Sequence, residues 1–258
     1  VLDLHCHILP GVDDGAVDLA ESMQMAREAI DQGCRAVCAT SHLWEQLFDT
    51  SPELNAQEHA HLVTALRREG IELEVFPGAE NFLAEDVTPE SFAEVAVVLR
   101  EGPYVLFDFS MRSLPDVAAA VRALEAVGKR AVIAHPERNA LLQVDPSPVG
   151  TWIDLGAIIQ VNAPSILGRH GREAQETADL LLASGAVHAV ASDAHGPRRP
   201  FCLGEAYAAL TEMVGKETAE LLCRENPWRI ARGEEVPTES VTIQTPSRAA
   251  RFFRRLRG

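Results

Sequence analysis

Short runs of nearly continuous apolar residues alternate along the chain with longer stretches whose apolar residues recur every three or four positions. The short runs are Leu2–His7, Ala36–Thr40, Leu73–Phe76, Tyr104–Phe109, Ala131–Ala134, Ile158–Val161 and Val187–Ala191. Their length and unbroken hydrophobicity predict strands of a parallel sheet buried on both faces. The longer stretches predict helices. In the first, Asp18 to Gln32, Asp18 and Glu21 form a capping box, and Met23, Ala26 and Ile30 recur at helical spacing. Five of the predicted strands follow a helix that ends in glycine, at Gly33, Gly70, Gly128, Gly156 and Gly185. Glycine takes the left-handed conformation that closes a helix without steric cost. The repeated helix, glycine, strand unit implies an α/β fold with a parallel sheet. Seven such strands suit a closed barrel, and an open doubly wound sheet fits the same pattern.

Composition narrows the picture. A chain of 258 residues that is 47% hydrophobic can bury one substantial core. We place one domain over residues 1–235 and a different character over 236–258. Pro237–Ser247 is polar and holds two prolines, which reads as a linker or an extended excursion, and Arg248–Gly258 carries five arginines, Phe252, Phe253, Leu256 and no acid. With a net charge of -15 overall, the rest of the chain carries about -20. The tail reads as a helix docked on this acidic body or as a disordered segment; contact with a membrane surface or partner is the other reading. So acidic a body disfavours a nucleic-acid partner, whereas phosphate is still bound where metal ions supply positive charge. Five cysteines, odd in number and with no CxxC pair, argue against a disulfide framework. No basic region followed by an apolar stretch opens the chain, and no uncharged apolar run nears the ~20 residues of a membrane span. The expected location is the cytoplasm.

The chemistry sits where the strands end. They are followed in turn by His5-Cys6-His7 with Asp13-Asp14-Gly15, Ser41-His42, Gly78-Ala79-Glu80, Asp108-Phe109-Ser110, His135-Pro136-Glu137-Arg138, Asn162, and Ser192-Asp193-Ala194-His195. Parallel α/β barrels build their sites from these C-terminal ends. The two-residue period of a strand puts His5 and His7 on one side and Cys6 on the other. Imidazoles and carboxylates together suit Mn, Fe or Zn, and Glu80 or Asp108 could bridge two ions. Arg138 lies in a rim loop, where its planar fork suits phosphate oxygens. Among the remaining histidines, His59 and His61 read as solvated, His170 as a surface residue and His188 as a hydrogen-bonded structural residue. Asp3 shares the parity of His5 and is expected to orient a ligand. Cys223 to Arg229 matches the C-x5-R string of cysteine-dependent phosphatases, but Cys223 falls in a predicted helix, Glu225 repels phosphate and Pro227 lacks an N–H.

These residues resemble a known family. The stretch Asp3-Leu4-His5-Cys6-His7-Ile8-Leu9-Pro10-Gly11-Val12-Asp13-Asp14-Gly15, with Ala39 to His42, Pro77 to Glu80, Phe107 to Met111, Ile133 to Arg138, Gln160 to Asn162, Ala191 to His195 and Asn226 to Ile230, is similar to the PHP (polymerase and histidinol phosphatase) superfamily. More narrowly, it resembles the metal-dependent protein-tyrosine phosphatases of bacterial capsule and exopolysaccharide gene clusters. The resemblance implies a distorted seven-stranded TIM-like barrel and three metal ions, usually manganese. It implies His5, His7, Asp14, His42, Glu80, Asp108, His135, Asp193 and His195 as ligands, with Arg138 and Arg199 holding the phosphate. The family pattern has Glu at the position of Asp108; the shorter aspartate is expected to reach one ion rather than bridge two. The implied substrate is phosphotyrosine in a protein such as a bacterial tyrosine autokinase. Two other readings remain: a phosphoesterase acting on histidinol phosphate or a nucleotide, and a regulatory protein with a degenerate site.

Overall fold

The computed structural model describes residues 1–44 and 47–244. Its strands are β1 (Leu2–Cys6), β2 (Ala36–Ala39), β3 (His42–Leu43), β4 (Glu74–Pro77), β5 (Glu80–Phe82), β6 (Tyr104–Asp108), β7 (Arg130–Ala134), β8 (Ile158–Asn162) and β9 (Ala189–Ala191). The helices between them begin with α1 (Leu19–Asp31), α2 (Pro52–Arg68), α3 (Pro89–Val95) and α4 (Val117–Ala126). Every strand pairing is parallel, in a sheet ordered β1-β2-β4 and a second ordered β3-β5-β6-β7-β8-β9. The α/β class with parallel sheets is therefore as the alternating pattern predicts.

The segment count differs from the seven expected, for a local reason. The second and third predicted strands each resume beyond a two-residue break: β2 stops at Ala39 and β3 begins at His42, while β4 stops at Pro77 and β5 begins at Glu80. At the second break a Cβ on Gly78 would stand 2.9 Å from the tip of the Leu99 side chain, so any larger residue there would require Leu99 to shift. The last strand is also shorter than predicted. His188 lies just before it and accepts the Ile159 N–H at Nδ1, 3.2 Å away, in the structural role expected.

Helix starts follow the local chemistry. Asp18, Ser51, Thr88 and Asp116 each cap a helix by accepting a backbone N–H three residues on. Only half of the predicted capping box forms, because the Glu21 carboxylate takes the Val17 N–H, at 3.2 Å, rather than that of Asp18. The buried face of α1 is Ser22, Met25, Ala26 and Ala29; Ile30 is turned outward and Met23 is only partly covered. The five helix-ending glycines all lie at φ between +65° and +87°.

Alternate strand residues feed two cores. Val105, Phe107, Ile133 and Ile159 pack against the helices in the larger core, while Leu106, Val132, Ala134 and Ile158 join Leu2, Leu4 and Leu99 in the smaller one. β1 changes phase between them. Its pairing with β2 slips by one residue between Asp3 and Cys6, so Leu2 and Leu4 belong to the smaller core and Cys6 to the larger. Such a bulge re-aims side chains, and here it separates Asp3 from the face that His5 and His7 share. Asp3 accordingly orients backbone and not a ligand ring: its Oδ1 accepts the N–H groups of His5 and Ser192, at 3.2 and 3.0 Å.

Residues 237–244 form no helix or strand, yet Ile243 is buried and Ser240 donates to Asp154 at 2.7 Å. The basic segment Arg248–Gly258 lies outside the described residues. Among the described residues no helix is long and apolar enough to cross a membrane.

Candidate metal and phosphate site

All eleven residues singled out as ligands or phosphate clamps converge at the C-terminal ends of the strands. Asp108 closes β6, His135 follows β7, Asp193 and His195 follow β9, and His5 and His7 lie at the end of β1 and just beyond it. The two small strands supply His42 and Glu80, which pair in register. His135 and Asp193 sit at φ of +34° and +52°, a conformation that costs energy outside glycine and clusters at functional sites.

Three groups among these residues have the spacing of metal ligands: His7, Asp14, His42 and His195; His5, His7 and Asp193; and His5, Glu80 and His135. His5 Nε2 and His7 Nε2 lie 3.1 Å apart and both face Glu80 Oε2, at 3.3 and 3.4 Å, and Asp193 Oδ1, at 3.5 and 3.4 Å. Glu80 spans the groups, with Oε1 2.9 Å from His135 Nε2 and Oε2 2.9 Å from His42 Nδ1. Asp14 Oδ1 lies 3.2 Å from His195 Nε2. Buried polar atoms are normally hydrogen-bonded. Glu80 Oε2, His42 Nδ1 and His195 Nε2 are buried beside opposite charges yet, like the buried Asp108 Oδ1, make no well-aligned hydrogen bond. Such donor atoms converging on common points are what divalent cations require, so the residues fit the metal ions that the family resemblance implies.

Surrounding groups fix which ring nitrogen faces inward. His5 Nδ1 donates to Gln160 Oε1 at 3.0 Å, His7 Nδ1 to Asp13 Oδ2 at 2.8 Å, and His195 Nδ1 to the Asp193 carbonyl at 2.8 Å. Each leaves Nε2 for the centre, the arrangement that orients metal-binding histidines. Asp13 also accepts the His42 N–H, at 2.8 Å. Asp13 adjoins Asp14 in the sequence, and nothing in their spacing separates the roles of the two. Gln160 and Asn162 share one face of β8 by the two-residue period, which was the available signal. Gln160 donates to Asn162 Oδ1 at 2.8 Å and Asn162 donates to Asp193 Oδ2 at 2.7 Å.

The two arginines meet on that same oxygen. Arg138 Nη1 and Arg199 Nη1 lie 2.9 and 3.1 Å from Asp193 Oδ2. Arg198 turns away and donates to the Asp14 carbonyl, at 3.1 Å. Behind Arg138, the buried Glu137 accepts from Ser165 Oγ at 2.6 Å and from the Asn162 N–H at 3.1 Å. His170, expected on the surface, is half-buried with Nδ1 3.1 Å from Ser165 Oγ; burial and the nearby Arg138 charge push its pKa down to about 4. His59 is likewise half-buried and donates to the Val75 carbonyl at 2.8 Å, whereas His61 is exposed beside Glu58.

Electrostatics divides the carboxylates. Burial works against ionising Glu80 and Asp193, but adjacent histidines, and Arg199 for Asp193, outweigh it and hold both well below the usual range. Asp108 is pushed well above it by burial and by Glu80 and Asp193. Asp108 belongs to none of the three ligand groups, though it lines the same cavity of about 370 Å³. Asp108→Glu, longer by one methylene, should leave turnover equal or higher and slow metal loss, measured as metal content after graded chelation. A large fall in both would show that the shorter side chain is matched to this site.

The C-x5-R string does not form a phosphate cradle. Cys223 lies in a helical turn (Leu221–Glu225), fully buried, and burial pushes its thiol up to about 12. All five cysteines are free and buried.

The chain matches the capsular polysaccharide synthesis family CpsB/CapC over residues 1–232. It is 33% identical to the tyrosine-protein phosphatase YwqE of Bacillus subtilis (strain 168) over 92% of its own length and 93% of that protein's. It is 29% identical to the tyrosine-protein phosphatase CpsB of Streptococcus pneumoniae, over 89% and 98% of the two chains. Among solved structures, one from the crystallographic pair YwqE of Bacillus subtilis and CpsB of Streptococcus pneumoniae, described as unique metal-dependent tyrosine phosphatases, superposes with a TM-score of 0.88 at 31% identity, covering 95% of this chain and 100% of that one. An organophosphorus hydrolase mutant from Deinococcus radiodurans shares the fold alone, with a TM-score of 0.56 at 16% identity over 89% and 92% of the two chains. With a family match over nearly its whole length and a relative above 30% identity, this chain belongs to the CpsB/CapC family.

Proposed function

We propose that this chain is a metal-dependent phosphatase that hydrolyses phosphotyrosine in a protein substrate. The observation that carries this reading is the convergence of three ligand groups and two arginines on one cavity. The ions would be held by the overlapping groups His7, Asp14, His42 and His195; His5, His7 and Asp193; and His5, Glu80 and His135, with His5 and His7, which each have one free ring nitrogen, serving one ion apiece and Asp108 reaching one ion. Manganese is the expected metal, with iron or zinc compatible with the same donors. When bound, such ions acidify water and neutralise phosphoryl oxygens.

The residues of the chain do the rest. Arg138 and Arg199 offer paired N–H donors to the phosphate and stabilise charge as it grows in the transition state. Asp193, whose Oδ2 also accepts from Asn162, holds the arginines at the rim. A phenol has a pKa near 10, so tyrosine leaves without a strong general acid.

Around this site we infer a distorted barrel of seven parallel staves. The reading is supported by the β-bridge between Cys6 and Ala194, by the bonds from the His7 N–H to Ala194 O and from the Asp193 N–H to His5 O, at 3.0 and 2.8 Å, and by the two interrupted strands. Residues 1–235 would form this domain and 236–258 an appendage ending in the basic tail. The YwqE and CpsB relatives are named tyrosine phosphatases, and the CpsB/CapC family is one of capsular polysaccharide synthesis. The fitting partner is thus a tyrosine-phosphorylated protein, such as a tyrosine autokinase of that process, met in the cytoplasm.

A substrate panel tests the assignment. With Mn²⁺ present, kcat/KM on a phosphotyrosine peptide should exceed that on phosphoserine peptide, histidinol phosphate and nucleotide by about tenfold or more, the discrimination that a hydrophobic contact provides. A preference for histidinol phosphate or nucleotide would move the protein to a small-molecule phosphoesterase, and no turnover at all would leave a regulatory binding protein.

A further inference from the structure

A second cavity, of about 270 Å³, adjoins the proposed phosphate site and shares two of its walls. The shared walls are Trp44 and Phe82, whose rings stack with centroids 3.7 Å apart and planes within 10°. One side of this region belongs to the cavity that holds Asp108, Arg138 and Arg199. The other is lined mainly by Leu43, Val87, Phe92 and Val95. Charged side chains are absent from that lining among the described residues. Asn81, which also borders it, spends its amide on the backbone of Val97 and Leu106, so it offers the cavity little. Thr50 also borders it, with its Oγ1 closed off from solvent.

An uncharged, mostly apolar chamber suits an apolar side chain. A carboxylate or ammonium there would lose its hydration with no counter-charge to replace it. The occupant must also reach the chamber from the neighbouring site. Extended polypeptide advances at most about 3.6 Å per residue, so a chain crossing the Trp44–Phe82 stack enters the second cavity within one or two positions. Val95, 76% exposed, stands at its mouth.

We propose that the cavity bounded by Leu43, Trp44, Phe82 and Val95 is a substrate subsite that takes an apolar side chain within two positions of the phosphotyrosine. The inference rests on the phosphotyrosine reading above and deepens it. It makes this enzyme a reader of polypeptide context, where a bare phosphate ester would use only the metal and arginine site.

The test is a set of phosphotyrosine peptides that differ only in carrying Leu, Gly or Asp at one of the two positions on either side of the phosphotyrosine, with p-nitrophenyl phosphate as a substrate that cannot reach the subsite. At one of these positions Leu should exceed Asp in kcat/KM by about tenfold to a hundredfold, as burial of one apolar side chain gives, mostly through KM. Val95→Asp, at an exposed position, and Ala84→Leu, which fills the chamber, should each erase that preference and leave p-nitrophenyl phosphate turnover unchanged, which also reports that the variants fold. Equal kcat/KM across the peptides, or a preference that survives both substitutions, would overturn the subsite and leave the phosphatase reading standing. Turnover of p-nitrophenyl phosphate with no turnover of any peptide would overturn both.

Discussion

Dialysis against EDTA should abolish phosphotyrosine-peptide hydrolysis, Mn²⁺ should restore it, and alkylation of the native protein with iodoacetamide should leave it intact. The loss should be about a thousandfold or more, because the charge stabilisation supplied by divalent ions is worth several kcal/mol. The first half of the expectation follows from the ligand groups, whose inward atoms include Glu80 Oε2 and His195 Nε2, buried beside opposite charges without a well-aligned hydrogen bond. The second half follows from the thiols. Thiolate is the nucleophile in cysteine chemistry, and Cys223 is fully buried with its pKa raised to about 12. Its helical surroundings offer no turn of free N–H groups to cradle a phosphate. Activity that resists the chelator and disappears in Cys223→Ser would sink the metal reading and revive the C-x5-R string.

The parts of this architecture that were legible in the sequence are those that obey a simple period. Buried strands need continuous apolar runs, so β6 to β8 stand out, and helix-ending glycines mark where strands begin. The polar residues just beyond each run mark the rim, because a metal or phosphate site needs charge where a core does not. What stayed hidden depends on events that no period encodes. The breaks after Ala39 and Pro77, which set off the short strands carrying His42 and Glu80, fall at Thr40–Ser41 and Gly78–Ala79, where the hydrophobic pattern gives no sign of a second strand. The bulge in β1 sets Asp3 apart from His5 although their spacing is two, the same as that of His5 and His7. His170 sits among polar neighbours in sequence but meets Ser165, which itself bonds Glu137, residues brought near by the ends of β7 and β8. Asp13 escaped for a different reason: two adjacent aspartates offer the same chemistry, and only the fold turns Asp13 to His7 Nδ1 and leaves Asp14 facing His195.

Loss of Arg138 should cost turnover without costing metal. Its Nη1 shares Asp193 Oδ2 with Arg199 and with Asn162, at 2.9, 3.1 and 2.7 Å. Removing one of three donors leaves that carboxylate oriented by the other two, and Oδ1 still faces His5 and His7. Arg138→Ala therefore removes a charged partner of the phosphate and spares the ligand groups. Hydrogen bonds to charged groups contribute roughly 1.5–3 kcal/mol each, so kcat/KM on a phosphotyrosine peptide should fall by about 10- to 200-fold. Arg138→Lys should recover part of the loss, since an ammonium keeps the charge and loses the planar fork. Arg199→Ala should behave like Arg138→Ala. Arg198→Ala should be nearly silent, because Arg198 spends its guanidinium on the Asp14 carbonyl at the exposed rim. Inhibition by phosphate product should weaken less than turnover, as charge on the phosphoryl group grows on the way to the transition state. Full activity in Arg138→Ala would remove Arg138 from phosphate binding. Metal lost in step with activity would make it a support of Asp193 instead, and metal content of the purified variant distinguishes that outcome from the clamp.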